Sequence, residues 1–154
     1  MKICITIPPL EELLIRKCAP PLARKGKKWR ADCLGDDAKQ RGIYIIHQSK
    51  TPVLYIGKTG KQAKNKRPMD FATRLRRHFT ESGSGKKGKF KDLLKAKKDG
   101  TIYVSFLYAA KLPKLIEGLA DTQDDDALIC VMEAAMIRGY RPEFQIPERR
   151  AISN

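Results

Sequence analysis

Two tyrosines, an arginine, a histidine and one isolated glutamate are the residues of this chain whose types and spacing suit them to chemistry. Tyr44 and Tyr55 lie in two strand-like apolar runs, with Gly42 before the first run and Gly57 after the second. Arg74 and His78 are one helical turn apart, on the same side of an apolar stripe. Glu133 is, apart from the weakly acidic Cys130, the only ionisable side chain in the stretch 127–137. A carboxylate in such surroundings is costly unless a cation or strong hydrogen bonds compensate it. It reads either as an ion-pair partner of a buried arginine, with Arg74 a candidate, or as a ligand to a divalent metal at the inner end of a cleft. A hard cation such as Mg²⁺ often takes only one or two carboxylates from a protein. The tyrosine pair likewise reads either as packing within a hairpin or as part of a site.

The elements that must position these residues follow from their surroundings. Ile43 to His47 and Val53 to Ile56 are rich in β-branched and aromatic residues and are separated by polar Gln48 to Thr51, which predicts a β-hairpin. With those four residues as the turn, His47 faces Pro52 and Tyr44 stands directly opposite Tyr55, both on one face. A loop longer by one residue would send the two phenols to opposite faces. Pro68 and Asp70 suit a helix start, and Phe71, Leu75 and Phe79 recur at helical spacing, so this helix is expected to pack on the sheet. Arg76 and Arg77 point elsewhere. Ile102 to Tyr108 reads as a third strand, with short helices before it from Phe90 and after it over Lys111 to Leu119. Asp124, Asp125 and Asp126 open the most apolar helix, with Arg138 in its last turn and Gly139 as its expected C-terminal cap. Earlier, Leu10, Leu13, Leu14 and Cys18 have helical spacing between two proline pairs, with Glu11 and Glu12 first and Arg16 and Lys17 last. The fold class is therefore α/β (α+β): a small three-stranded sheet covered by helices. A basic N-terminal extension, residues 1–40, precedes a compact unit over 41–154.

Charge is the most informative bulk property. The 154 residues carry a formal net charge of +15, and residues 1–100 hold 26 Lys and Arg against 9 Asp and Glu. So lopsided a cationic surface attracts a polyanion, and nucleic acid gains by releasing condensed counterions; a solvated, solubility-giving surface is the plainer alternative. The loop from Lys58 to Pro68 carries Lys61, Lys64, Lys66 and Arg67 as phosphate contacts, and a Gly/Ser-rich loop carries Lys86 and Lys87. That second loop lacks the full phosphate-loop pattern. Trp29, among cations, either stacks on a base or caps a small core. No run approaches the ~18 apolar residues of a membrane span, and Ile3 to Ile7 is too short for a secretory core, so the chain is expected in the cytoplasm. Cys4, Cys18, Cys33 and Cys130 show no metal-binding spacing and are expected to be reduced, mostly buried thiols.

Gly42-Ile43-Tyr44, then ten residues, then Tyr55-Ile56-Gly57 resembles the signature of the GIY-YIG nucleases. Arg74 in a following helix and Glu133 in a later apolar helix match that family's other essential positions in order, over about residues 41–146. The resemblance implies three antiparallel strands flanked by helices and cleavage of a phosphodiester bond with Mg²⁺ or Mn²⁺. On it, Tyr44 would orient or deprotonate the attacking water, Tyr55 would support it and the phosphate, Arg74 would neutralise the phosphate and Glu133 would bind the metal. An arginine fork matches phosphate oxygens, and a metal stabilises a leaving oxygen. A phenol is a poor base at neutral pH unless cations lower its pKa, which is the role expected of Lys58. The Arg74-x-x-x-His78 spacing is similar to the type II restriction endonuclease subgroup, where His78 would act as a base or bond the water. Gln145 stands where many members have asparagine.

The expected function is thus a metal-dependent DNA endonuclease of restriction, repair or mobile-element type. Arg76, Arg77 and the loop lysines would hold the nucleic acid, and Gly42, Gly57 and Gln145 would support the site. A non-catalytic nucleic-acid-binding module is the alternative, and an RNA target and a homodimer both stay open.

Overall fold

The computed structural model describes residues 2–17, 32–48, 53–60, 69–79, 102–118 and 124–143. Its centre is a four-stranded antiparallel sheet. The run of β-branched and aromatic side chains at 43–46 makes Gly42–Gln48 the natural inner strand, because every one of those four residues is buried and the two faces are covered from opposite sides. We number strands in chain order: β1 (Cys4–Ile5), β2 (Leu14–Lys17), β3 (Gly42–Gln48), β4 (Val53–Lys58), β5 (Ile102–Tyr108) and β6 (Ile116–Glu117). The order across the main sheet is β2-β5-β3-β4, so β4 is an edge strand. One face packs Tyr44, Ile46, Leu54, Val104 and Phe106 against helix α1 (Phe71–Phe79). The other packs Ile43, Ile45, Ile56 and Leu107 against helix α2 (Asp125–Tyr140).

The hairpin register differs from the expected one. Tyr44 pairs with Gly57 and Ile46 with Tyr55, and the next pair is His47 with Val53. Leu54 is therefore an extra residue, a β-bulge that places Leu54 and Tyr55 on the same face. The loop between the last paired residues is 48–52, one longer than expected, and the bulge restores the parity that this length would have lost. The two phenols keep a common face as diagonal neighbours instead of direct partners. Pairing Tyr44 with a glycine leaves room for its ring, which a directly opposed tyrosine would not.

The expected helix over Leu10 to Cys18 is replaced by a 3₁₀ turn, Leu10–Glu12, and strand β2. A helix confined between two proline pairs is too short to be stable alone, whereas β2 satisfies the open edge of β5, pairing Leu14 with Phe106 through Lys17 with Tyr103. Leu10 and Leu13 are buried beneath α2's face of the sheet. The expected helix over Lys111 to Leu119 is likewise a 3₁₀ turn, Ala109–Lys114, ending in β6. Pro113 lacks an amide donor and Gly118 has φ +88°, so the chain turns and pairs with β1 instead. Both ends of residues 1–40 are thus built into this unit. Leu34 is fully buried, and Gln40 accepts a hydrogen bond from the Phe71 amide at the start of α1.

Helix α1 starts with Asp70, whose Oδ1 accepts from the Thr73 amide at 2.7 Å. Phe71 packs against Phe106 at 4.6 Å between ring centroids, and Leu75 is buried one turn on. Helix α2 begins at Asp124, which caps it by accepting from the Asp126 amide. It runs past Gly139 and ends at Arg141, in the left-handed conformation at φ 49°. Gly139 lies inside the helix near Ile7, whose exposed side-chain tip an added Cβ would meet at 2.8 Å. One residue on, the Tyr140 hydroxyl donates to the Pro8 carbonyl at 2.6 Å. The short helix expected from Phe90 and Trp29 lie outside the described residues. Among the described residues no helix is long and apolar enough to cross a membrane.

Candidate active site

The two motif glycines are spacing devices. A Cβ on Gly57 would collide with the Tyr44 hydroxyl and approach Tyr55 Cε1 to 2.8 Å, so Tyr44 reaches across β4 only because position 57 is bare. Gly42 has φ +145° and lies against the Leu107 carbonyl of β5, where a side chain would collide as well. Directly after β4, Thr59 closes this end of the sheet. Its amide donates to the Gly42 carbonyl at 2.9 Å, and its buried Oγ1 accepts from the Gly42 amide at 2.8 Å.

On this frame Tyr44 is fully buried, with its ring centroid 6.2 Å from Tyr55 and edge-on to Phe71 at 6.4 Å. Arg74 donates to the Tyr44 hydroxyl, which in turn is hydrogen-bonded to that of Tyr55. Burial, reinforced by Tyr55, pushes the Tyr44 pKa well above the usual phenol value, although the Arg74 charge and hydrogen bond oppose this. Tyr55 is raised too, first by burial; Arg74 opposes the shift and the Glu133 charge adds to it. Arg74 Nε is buried and finds no acceptor among the described residues.

Glu133 comes from α2, on the opposite side of the sheet, near enough for its charge to act on both phenols. Its carboxylate pairs with Lys58 Nζ at 2.6 Å, with the two side chains 16% and 35% exposed. The ion pair expected with a buried arginine is therefore made with lysine, because Lys58 ends β4 on the face that meets α2. Cys130, one turn before Glu133, is hydrogen-bonded to the same ammonium. Burial works against the Lys58 charge, but the hydrogen bond and charge of Glu133, together with Cys130, outweigh it and raise the Lys58 pKa. Lys58 was expected to lower the pKa of a phenol. It does act on Tyr55 in that direction, but as the weakest of the named influences, and both phenols end up raised. Its charge is directed at the carboxylate instead.

Arg41 anchors the helix that carries Glu133. Its guanidinium pairs with Asp126 and lies 3.9 Å from Asp125, tying the start of β3 to the first turn of α2. Nothing in the local sequence marks this pair, whose members are 85 residues apart. Thr59 had a signal, since a small hydroxyl residue stands two positions after the second motif. A further buried polar contact, His47 Nε2 with Ser105 Oγ at 2.8 Å, lies under Tyr103, which stacks on the imidazole at 5.8 Å.

Arg74, Tyr44 and Tyr55 are brought together on the α1 face, and Lys58 and Glu133 on the α2 face. Arg76 is exposed on α1. Arg77 and His78 belong to α1, His78 one turn beyond Arg74, but their side chains lie outside the described residues, as do Lys61, Lys64, Lys66, Arg67, Lys86, Lys87 and Gln145. Cys4 and Cys130 are free but exposed, not buried as expected: Cys4 lies on the surface pair β1-β6 and Cys130 beside Lys58 at the end of β4. Among the described residues no three His, Cys, Asp or Glu side chains group in a way that would hold a metal. A scan against protein-family models, a search of curated proteins and a search of solved structures each return no match.

Proposed function

We propose that the chain is a divalent-metal-dependent endonuclease of the GIY-YIG type acting on DNA. The observation that carries the reading is the Arg74–Tyr44–Tyr55 hydrogen-bond chain lying within electrostatic reach of Glu133 across the edge of β4. A guanidinium and two phenols on one face of β4 and an ammonium–carboxylate pair on the other, near enough for the Glu133 charge to act on both phenols, have little value for packing and much for phosphate chemistry.

Glu133 is the residue that would hold Mg²⁺ or Mn²⁺. One carboxylate suffices for an ion that keeps most of its water, and that ion would compete with Lys58 for it. When bound, such an ion polarises the phosphorus and stabilises the leaving oxygen. Arg74 neutralises charge as it builds on the phosphate. Tyr44, buried and holding its proton at neutral pH, acts on the attacking water through the hydroxyl of the partly exposed Tyr55, to which it is bonded. Lys58, held at Glu133, donates a remaining ammonium hydrogen to the water or the phosphate.

Incubating the protein with supercoiled plasmid and mixed linear DNA, with Mg²⁺ or with EDTA, and sequencing the ends tests this. Metal-dependent ends support the reading; intact DNA under every condition overturns it. The second reading, a nucleic-acid-binding module without turnover, is favoured by the Lys58–Glu133 pair, which satisfies the carboxylate with no metal. It is supported by metal-independent retention of DNA with no nicked product. RNA offered in parallel separates the two polymers.

A further inference from the structure

Thr59 does something that a regular strand residue does not. Gly42 and Thr59 follow Ile43 and Lys58 as the next pair of the β3-β4 ladder. One of the two expected bonds is present in ordinary form, from the Thr59 amide to the Gly42 carbonyl at 2.9 Å. The reciprocal bond is not made to the Thr59 carbonyl. The Gly42 amide donates to Thr59 Oγ1 at 2.8 Å instead, and the same hydroxyl lies 3.2 Å from the Gly42 carbonyl, to which it donates. A side-chain oxygen thus replaces a backbone carbonyl in the ladder. The chain is free to leave the sheet immediately after Lys58, and it does so, since the Gly60 carbonyl is bonded to the Met69 amide at the approach to α1.

We propose that Thr59 is a positioning residue for the candidate site: its hydroxyl ends the ladder so that Lys58 is held against Glu133 and Tyr44 over Gly57 while the chain beyond turns toward α1. The proposal deepens the nuclease reading and rests on it for its catalytic arm alone. The Gly42 amide donates to this hydroxyl, and Thr59 is 1% exposed, so water does not replace it. Loss of the hydroxyl frees one end of β3 next to Tyr44 and one end of β4 next to Lys58. Small displacements of catalytic groups cost rate more than they cost binding.

The test compares wild type with Thr59→Ser, which keeps the hydroxyl, and Thr59→Val, which keeps the shape. In the first arm, NMR follows Gly42 amide exchange and the Lys58 ammonium resonance, assigned with Lys58→Arg. Wild type and Thr59→Ser are expected to show a protected amide and a Glu133-bound ammonium; Thr59→Val is expected to lose both while its unfolding midpoint stays above the assay temperature. In the second arm, plasmid cleavage per folded molecule is expected to drop about a hundredfold in kcat for Thr59→Val with KM little changed, and to recover in Thr59→Ser. A folded Thr59→Val with the wild-type ammonium signal and kcat overturns the proposal. If wild type does not cleave DNA, the nuclease reading fails and the first arm alone decides on Thr59. If Thr59→Val does not fold, exchange of the Gly42 amide in wild type decides: exchange only through global unfolding supports the proposal, and rapid exchange overturns it.

Discussion

The hydroxyl of Tyr44 lies over the Cα of Gly57, its partner across the β3-β4 ladder. This contact explains why a glycine ends the second motif and why the phenol is wholly buried. It also yields a sharp stability test. Gly57→Ala drives a methyl group into a ring that Phe71 and Tyr55 hold in place, at a cost of about 1–3 kcal/mol for overpacking. Gly60→Ala, where an added Cβ meets nothing within 4 Å, is the control and is expected within about 0.5 kcal/mol of wild type. Urea unfolding of the two variants distinguishes them.

The site should separate binding from chemistry. Glu133→Ala and Arg74→Ala are each expected to lower metal-dependent cleavage by at least about a hundredfold, as for removal of one transition-state donor. Retention of DNA in a gel-shift assay should change far less, because the basic surface is spread over the chain. Cleavage by both variants at the wild-type rate refutes the assignment of roles.

Alkaline pH should weaken the fold through the site. Tyr44, Tyr55 and Lys58 all have pKa values raised above those of the unfolded chain. For the phenols, folding favours the protonated form, and for lysine the charged form. Each contribution is complete below the unfolded values near 10.0 and 10.5 and is lost as pH rises through the folded values. Stability is therefore expected to be level from about pH 7 to 9 and to fall above about pH 10, with a shallower fall in Tyr44→Phe. Denaturant midpoints across pH 8 to 11 measure the slope; equal slopes in wild type and Tyr44→Phe contradict the direction given for Tyr44.

Residues 2–17 should be required for the fold. Deleting them removes β2 from the edge of β5 and β1 from β6, and removes buried Leu10 and Leu13. Leu13→Ala alone is expected to cost about 2–5 kcal/mol, and the deletion to give an aggregating or unfolded chain, since an open strand edge recruits other chains. A monomeric deletion variant with a wild-type unfolding midpoint would show that these residues are an appendage after all.

The sequence by itself determined the elements with strong periodicity. Strands β3, β4 and β5 and helices α1 and α2 follow from runs of β-branched residues, the Phe71 and Leu75 spacing and the apolar stretch that Asp124 opens, because those patterns commit a face to burial whatever covers it. It also marked Tyr44, Tyr55, Arg74 and Glu133, since unusual side chains stand out against an apolar background. Only the tertiary structure decided how they meet. The register was set by the Leu54 bulge and the bare Gly57, and a bulge depends on what packs on both faces, not on the loop residues. The stretch 10–17 had helical spacing, yet became a turn and a strand because the open edge of β5 offered backbone partners that a short isolated helix lacks. Lys58 was taken by Glu133, not by a phenol, because it points to the face where α2 lies, and a charge settles on the nearest opposite charge that burial has left uncompensated.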